Sequence, residues 1–229
     1  MFAKSLSTFL NVIAGPKEAF ETVITEKLSF WIPLILVIIL ALVATHYLYD
    51  PIMEMEITKM EYNPDIPEDQ ADMAATQMEK ITEPPLRYVF SIAMPILGTF
   101  IGLAIYALFY MLMGNFVFGG KGSFGDLFTI AVYASAVSVV EIFAQLGIFF
   151  ATGNVTIFNA AALMLPLSEF YTTTYTLLSA IDIFKLWYLF VVGFGIKALY
   201  KFDTVKAMAV PFGLYLAWIV VTNGFKAIF

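Results

Sequence analysis

Cysteine is absent from these 229 residues, and histidine occurs once, at position 46. Without thiols there can be no disulfide, no thiolate metal site and no cysteine nucleophile. His46 sits at the end of an apolar run, with no second histidine to complete a zinc set or a nucleophile–base pair. The signatures of intramembrane proteases, a serine–histidine pair, paired aspartates or a His-Glu zinc motif within a span, are also missing. No enzymatic activity, catalytic residue, cofactor or bound metal is therefore expected. Charge is scarce too, at 13% of residues, and hydrophilic stretches are short except between residues 50 and 85.

What the chain has in abundance is apolar surface, 61% of residues with 17% aromatic. One water-soluble core of this size cannot hide that much. Runs long enough to cross about 30 Å of hydrocarbon recur along the chain and leave little room for a soluble domain. The expected fold is an all-α membrane protein, a five-transmembrane-helix bundle preceded by N-terminal amphipathic interfacial helices. The spans fall at about 30–49, 87–118, 124–150, 175–200 and 204–229, all within a membrane domain of residues 29–229. Trp31 at one end of the first span and Tyr47 and Tyr49 at the other suit the headgroup level. Lys201, Phe202 and Asp203 are all that joins the last two spans, so these must form an antiparallel hairpin.

Residues 1–28 lack the compact apolar core of a signal peptide. They read as two short helices in the cytoplasmic interface. Leu6, Phe9, Leu10 and Ile13 share one face, Gly15-Pro16 breaks the run, and Phe20, Val23, Ile24 and Lys27 resume it. Packing of these helices against the bundle is the plainer alternative. Residues 151–174 contain about eight consecutive apolar positions, too few to cross. A re-entrant or interfacial helix is expected there, and a sixth span would move the C-terminus to the other side. Gly119-Gly120-Lys121-Gly122-Ser123 lacks P-loop spacing and follows no strand, so it reads as a tight turn.

Lysine placement gives the orientation. A cytoplasmic N-terminus puts Lys4, Lys17, Lys27, Lys121, Lys197, Lys201 and Lys206 inside, against Lys59, Lys80, Arg87 and Lys226 outside, seven to four. The 50–85 segment, with ten acidic side chains against two lysines, then lies outside the cytoplasm. Asp65, Glu68, Asp69 and Asp72 are its candidates for weak cation attraction, although the spacing is not that of an EF-hand. A solvated helical face or flexible loop is the plainer reading of the same residues.

Charges inside spans are the most informative residues, because an unpaired ion there costs at least about 2.5 to 3.5 kcal/mol. Glu141, Asp182 and Lys185 qualify, with Gln145 one turn beyond Glu141. They form a candidate intramembrane polar cluster. A structural clamp between spans three and four and an ion or proton pathway are the two readings of it.

Several local features point the same way: Val12-Ile13-Ala14-Gly15-Pro16-Lys17-Glu18-Ala19-Phe20 ahead of Trp31-Ile32-Pro33-Leu34, the glycine-rich turn running into Phe124-Gly125-Asp126-Leu127-Phe128, Ile181 to Trp187, and Lys206-Ala207. In that order and with five spans, the chain resembles the Yip1 domain family in its bacterial and archaeal branch. The resemblance covers nearly the whole chain and concerns fold more than activity. It implies a multi-pass protein of a prokaryotic cytoplasmic membrane. Eukaryotic relatives sit in Golgi and endoplasmic reticulum membranes and bind prenylated Rab GTPases through a long cytosolic N-terminal region. The present sequence shows no such region, so Rab binding is not carried over. Some bacterial relatives are associated with ABC-type export systems. The resemblance therefore implies a non-enzymatic interaction, assembly or accessory subunit, of such an exporter or in membrane organisation. Membrane lipids and other membrane proteins, or a second copy, are the expected partners, and nucleic acid is not. The alternative is a small proton- or cation-conducting transporter or channel using Glu141, Asp182 and Lys185.

Overall fold

In a computed structural model the described residues are 2–228, with the side chains of Glu68 and of 223–228 outside the description. Five helices are long and apolar enough to cross a membrane: Trp31–Glu61, Leu86–Val117, Phe124–Thr152, Ile183–Tyr200 and Thr204–Thr222. These correspond to the five expected spans; the first runs on to residue 61 and the fourth starts at residue 183 instead of 175. The chain divides into two compact units, one of Met1–Ile39, Gly98–Glu141 and Phe184–Phe229, the other of Leu40–Leu97 and Ile142–Ile183.

The first unit opens with α1 (Phe2–Ala14) and α2 (Pro16–Thr25), separated at Gly15 as the sequence predicts. The buried face of α1 is Ser5, Thr8, Phe9 and Val12, whereas Leu10 of the expected face is 48% exposed. Small polar residues at 5 and 8 let the helix approach its neighbour closely, and Phe9 meets the Tyr133 ring edge-on at 6.2 Å. On α2, Ala19, Phe20 and Val23 are buried. Both helices thus bury a stripe at 3.6-residue spacing. The first span enters from here: α3 (Trp31–Glu61) begins beside Ser29, whose carbonyl accepts from Tyr133 Oη at 3.2 Å.

The third span is the centre of this unit. It starts as α7 (Phe124–Ala134) with a capping box in which Ser123 Oγ accepts from Asp126 N–H and the Asp126 carboxylate accepts from Ser123 N–H. Leu127, Phe128 and all of Ile130 to Ala134 are buried. At Ser135 the helix is interrupted, with the side-chain hydroxyl donating to Val132 O at 2.6 Å, and α8 (Ala136–Thr152) carries it on. The last two spans, α11 (Ile183–Tyr200) and α12 (Thr204–Ile228), form the expected hairpin. A side chain at Gly193 would overlap Met208, and one at Gly195 would overlap Ile130 and reach Phe20, so both glycines are sites of close helix approach.

The second unit holds the acidic segment, which is more ordered than a loop. The α3 helix continues through residue 61, and α4 (Glu68–Ile81) follows after a short turn. Glu, Met, Ile and Lys are adequate helix formers, and nothing between residues 52 and 61 interrupts the ladder. Arg87, in α5 (Leu86–Tyr88) at the start of the second span, which continues into α6 (Met94–Leu112), grips Asp50 through two hydrogen bonds of 2.8 and 2.9 Å, and Tyr49 Oη donates to Ile81 O at 3.1 Å. Lys59, 4% exposed, pairs with Glu56 and lies 4.4 Å from the centre of the Phe170 ring. Burial, and then the Glu56 carboxylate, raise the Tyr175 hydroxyl above its ordinary pKa.

Residues 151–174 contain the short helix α9 (Ala160–Met164) and a 3-10 turn at Leu167–Glu169. Five helical residues reach about 7.5 Å, so this segment is not a sixth span. The fourth span also starts later than the periodicity predicts. A separate helix, α10 (Thr173–Ser179), precedes it, and around Asp182 the backbone pairs sideways with residues 158–160. Ala160 N–H donates to Ile181 O at 2.8 Å, Ile183 N–H to Phe158 O at 3.4 Å, and Asn159 and Asp182 form a lone antiparallel bridge.

Candidate functional site

Lys185 stands in the first turn of α11, fifteen residues before the last residue of that helix, Tyr200. Its ammonium donates to Tyr106 Oη at 2.9 Å and lies 5.0 Å from the centre of the Tyr106 ring and 5.8 Å from that of Tyr215. Two more tyrosines extend the group. The Tyr106 ring is 6.2 Å from both Tyr110 and Tyr188, and the Tyr110 and Tyr188 rings are 2% and 8% exposed. A charge-assisted hydrogen bond contributes about 1.5 to 3 kcal/mol, and a cation over an aromatic face about 0.5 to 1 at an exposed site. Lys185 stands two residues from the start of its span, where a charge costs less than the about 2.5 to 3.5 kcal/mol it would cost at the span centre.

The other members of the expected polar cluster are placed as follows. Glu141 is partly buried in α8, and Gln145 follows one turn on in the same helix. Asp182 precedes α11 and takes part in the bridge with Asn159. Counted at 1.5 Å per residue from Phe124 and Tyr200, the helix ends beside the two short turns, Glu141 is about 26 Å and Lys185 about 22 Å along. The four tyrosines around Lys185 were not singled out by the sequence reading, which sought partners for charges among other charges. A signal was there: tyrosine favours the headgroup level, and Tyr106, Tyr110, Tyr188 and Tyr215 all lie well inside their spans.

Asp65, Asp69 and Asp72 are exposed. No group of three or more His, Cys, Asp or Glu side chains among the described residues is arranged to hold a metal ion. The Glu68 side chain lies outside the described residues. His46, also exposed, packs on Tyr47 with ring centres 5.0 Å apart.

A second polar constellation closes the end of the first unit where the two short turns lie. Asn115 Nδ2 donates to Gly122 O and Gly122 N–H donates back to Asn115 Oδ1, both at 2.9 Å, while Tyr200 Oη donates to the same Oδ1 at 2.8 Å. The Tyr200 ring fills the space that Cβ atoms on Gly114, Gly120 and Gly122 would need. It stacks on Phe202 at 4.9 Å and 11°, and the Lys206 ammonium sits 4.2 Å from the Phe202 ring centre. The glycine-rich run is therefore a turn moulded around one aromatic ring, and its glycines serve close approach.

Five apolar helices, interior polar contacts and a short helical hairpin define an integral, multi-pass α-helical membrane protein. A family model for the Yip1 domain matches residues 10–222, nearly the whole chain, and the chain belongs to that family. No curated protein and no solved structure matches it.

Proposed function

We propose that this protein is a non-enzymatic interaction and assembly subunit of a prokaryotic cytoplasmic membrane, with its N-terminus in the cytoplasm. The observation that carries this reading is the contrast in burial among the spans. In the most apolar window of each helix, 61% of the third span is buried within the chain, against 11% of the second and 17% of the fifth. One helix organises the fold, and two present their sides to the membrane. On the second span Gly98 and Gly102 lie one turn apart, and a Cβ at either would meet no atom within 4 Å. Small residues on an uncovered helix side permit close approach of another helix, which is how association gains contact energy where lipid removes the hydrophobic drive. An ABC-type export system is the assembly that the family resemblance favours, and the role is that of an accessory subunit.

The test is affinity purification from native membranes in several mild detergents, with mass-spectrometric identification of what is retained. Recovery of the same membrane proteins in each detergent, and their loss when Gly98 and Gly102 are replaced by Leu, is the expected outcome. A chain recovered alone in every detergent would sink the proposal. Reconstituted vesicles discriminate against the transporter alternative, since an accessory subunit moves no protons or cations by itself.

A further inference from the structure

A cleft of about 210 Å³ in the first unit is lined by Lys17 and Glu21 of α2, Phe194 and Lys197 of α11, and Lys201 and Phe202 of the turn that follows. Three lysines and one glutamate therefore line it. They come from opposite ends of the sequence, yet share one concavity at the end of a membrane-spanning helix. Lysines at a span end serve orientation wherever they are scattered. Convergence of three on one cleft is what orientation alone does not require.

The surroundings are amphiphilic in a definite order. Lys197 is one turn from the last residue of α11, and Phe194 and Phe190 lie three and seven residues before it, on the same helix face. Phe190 is 48% exposed and packs edge-on against Phe194 at 5.1 Å. An apolar lane therefore runs along the span and ends under the lysines. Lys197 Nζ donates to Thr204 Oγ1 at 2.7 Å, which holds the ammonium in place with further donors for another acceptor. Lys201 has a left-handed backbone with φ of 58°, an unfavourable setting for a lysine that Asn or Gly would fill more readily.

We propose that this cleft binds the phosphate of an anionic glycerophospholipid, with Lys17, Lys197 and Lys201 on the headgroup and an acyl chain along Phe194 and Phe190. A basic pocket between helices at headgroup depth, with aromatic side chains below it, matches both halves of such a molecule. The inference goes beyond the assembly reading and is independent of it, because the site lies within one chain.

The test uses the purified full-length protein and native mass spectrometry. Short-chain phosphatidylglycerol is titrated against short-chain phosphatidylcholine, with soluble glycerol phosphate as a third arm. The wild-type chain should prefer phosphatidylglycerol by about tenfold, given the contribution of each lysine near an anionic surface. Lys17→Gln, Lys197→Gln and Lys201→Asn combined should cut the preference below about twofold, Asn being suited to the backbone at 201. Lys4→Gln, Lys27→Asn and Lys121→Gln combined, which remove equal charge outside the cleft, should leave it intact. If the triple cleft variant does not fold, Lys17→Gln alone, at an exposed position, should still lose about threefold. The proposal is overturned if the cleft variant keeps its preference, if the control variant loses as much, or if glycerol phosphate displaces the lipid at equal concentration.

Discussion

Replacing Gly122 by Ala tests whether the glycine-rich turn is moulded around Tyr200. An ideal Cβ at Gly122 would stand 2.6 Å from Tyr200 Oη, 2.7 Å from Cζ and 2.9 Å from Leu127 Cδ2. Ordinary carbon contacts are about 3.5 to 4.0 Å, so the overlap is roughly 1 Å on two sides. The ring has little room to withdraw. It stacks on Phe202, a Cβ on Gly114 would already be 2.8 Å from it, and its hydroxyl is held by Asn115. Overpacking of this kind costs about 1 to 3 kcal/mol, and displacing the hydroxyl from Asn115 adds about 1. Tyr200→Ala removes the ring at a cost of about 3 kcal/mol, the low end for an aromatic because Tyr200 is only partly buried. In that background Gly122→Ala should cost under about 0.5 kcal/mol, since the clash has gone. Denaturant titration of the purified protein, followed by the fluorescence of Trp31, Trp187 and Trp218, gives all four corners of the cycle. A Gly122→Ala variant as stable as wild type would refute the argument, as would an equal cost with and without the Tyr200 ring.

Lys185→Ala should lower stability by about 1 to 3 kcal/mol in the same titration, because Tyr106 loses its charged donor and two rings lose their cation. Lys185→Arg should retain most of it, and a harmless Lys185→Ala would show that the cluster does not tie the second span to the fourth. Orientation is checked by thiol labelling, which the cysteine-free chain makes clean. Because Ser123 caps the third span, Lys121→Cys is the better reporter of the turn, and it should label from the opposite side to Ala74→Cys; same-side labelling overturns the five-span topology.

The spans were legible because length and composition alone specify a helix that must satisfy its own backbone in hydrocarbon. The Gly119–Ser123 turn was legible for the same local reason. Boundaries were harder wherever tertiary contacts decide them. Residues 181–183 have helical neighbours on both sides, and the helices are separated where these residues pair sideways with 158–160, a contact between segments 20 or more residues apart in sequence. The acidic segment 50–85 left a solvated helical face and a flexible loop as equal readings, because polarity alone does not end a helix, and the structure continues α3 through residue 61. On α1 the apolar spacing pointed to Leu6 and Leu10, whereas the buried stripe uses Ser5 and Thr8, because close approach favours small side chains over apolar ones. Lys185 was legible as a charge within a span, and its aromatic partners were overlooked because they carry no charge.

The two polar constellations of the first unit both join the second span to the fourth. Tyr106 meets Lys185, and nine residues further along the second span Asn115 meets Tyr200. Both helices run in the same direction through these contacts, so each pair secures the register set by the other. This explains how a span with only 11% of its apolar window buried is held at all. Apolar packing gains little over lipid in a bilayer, so polar contacts between spans carry a larger share of what holds this helix. The two contacts, nine residues apart on the second span and fifteen apart on the fourth, hold the helix at two levels along its length. The side bearing Gly98 and Gly102 is then presented at a set angle, and a helix of another protein would meet a defined surface without the second span leaving its place.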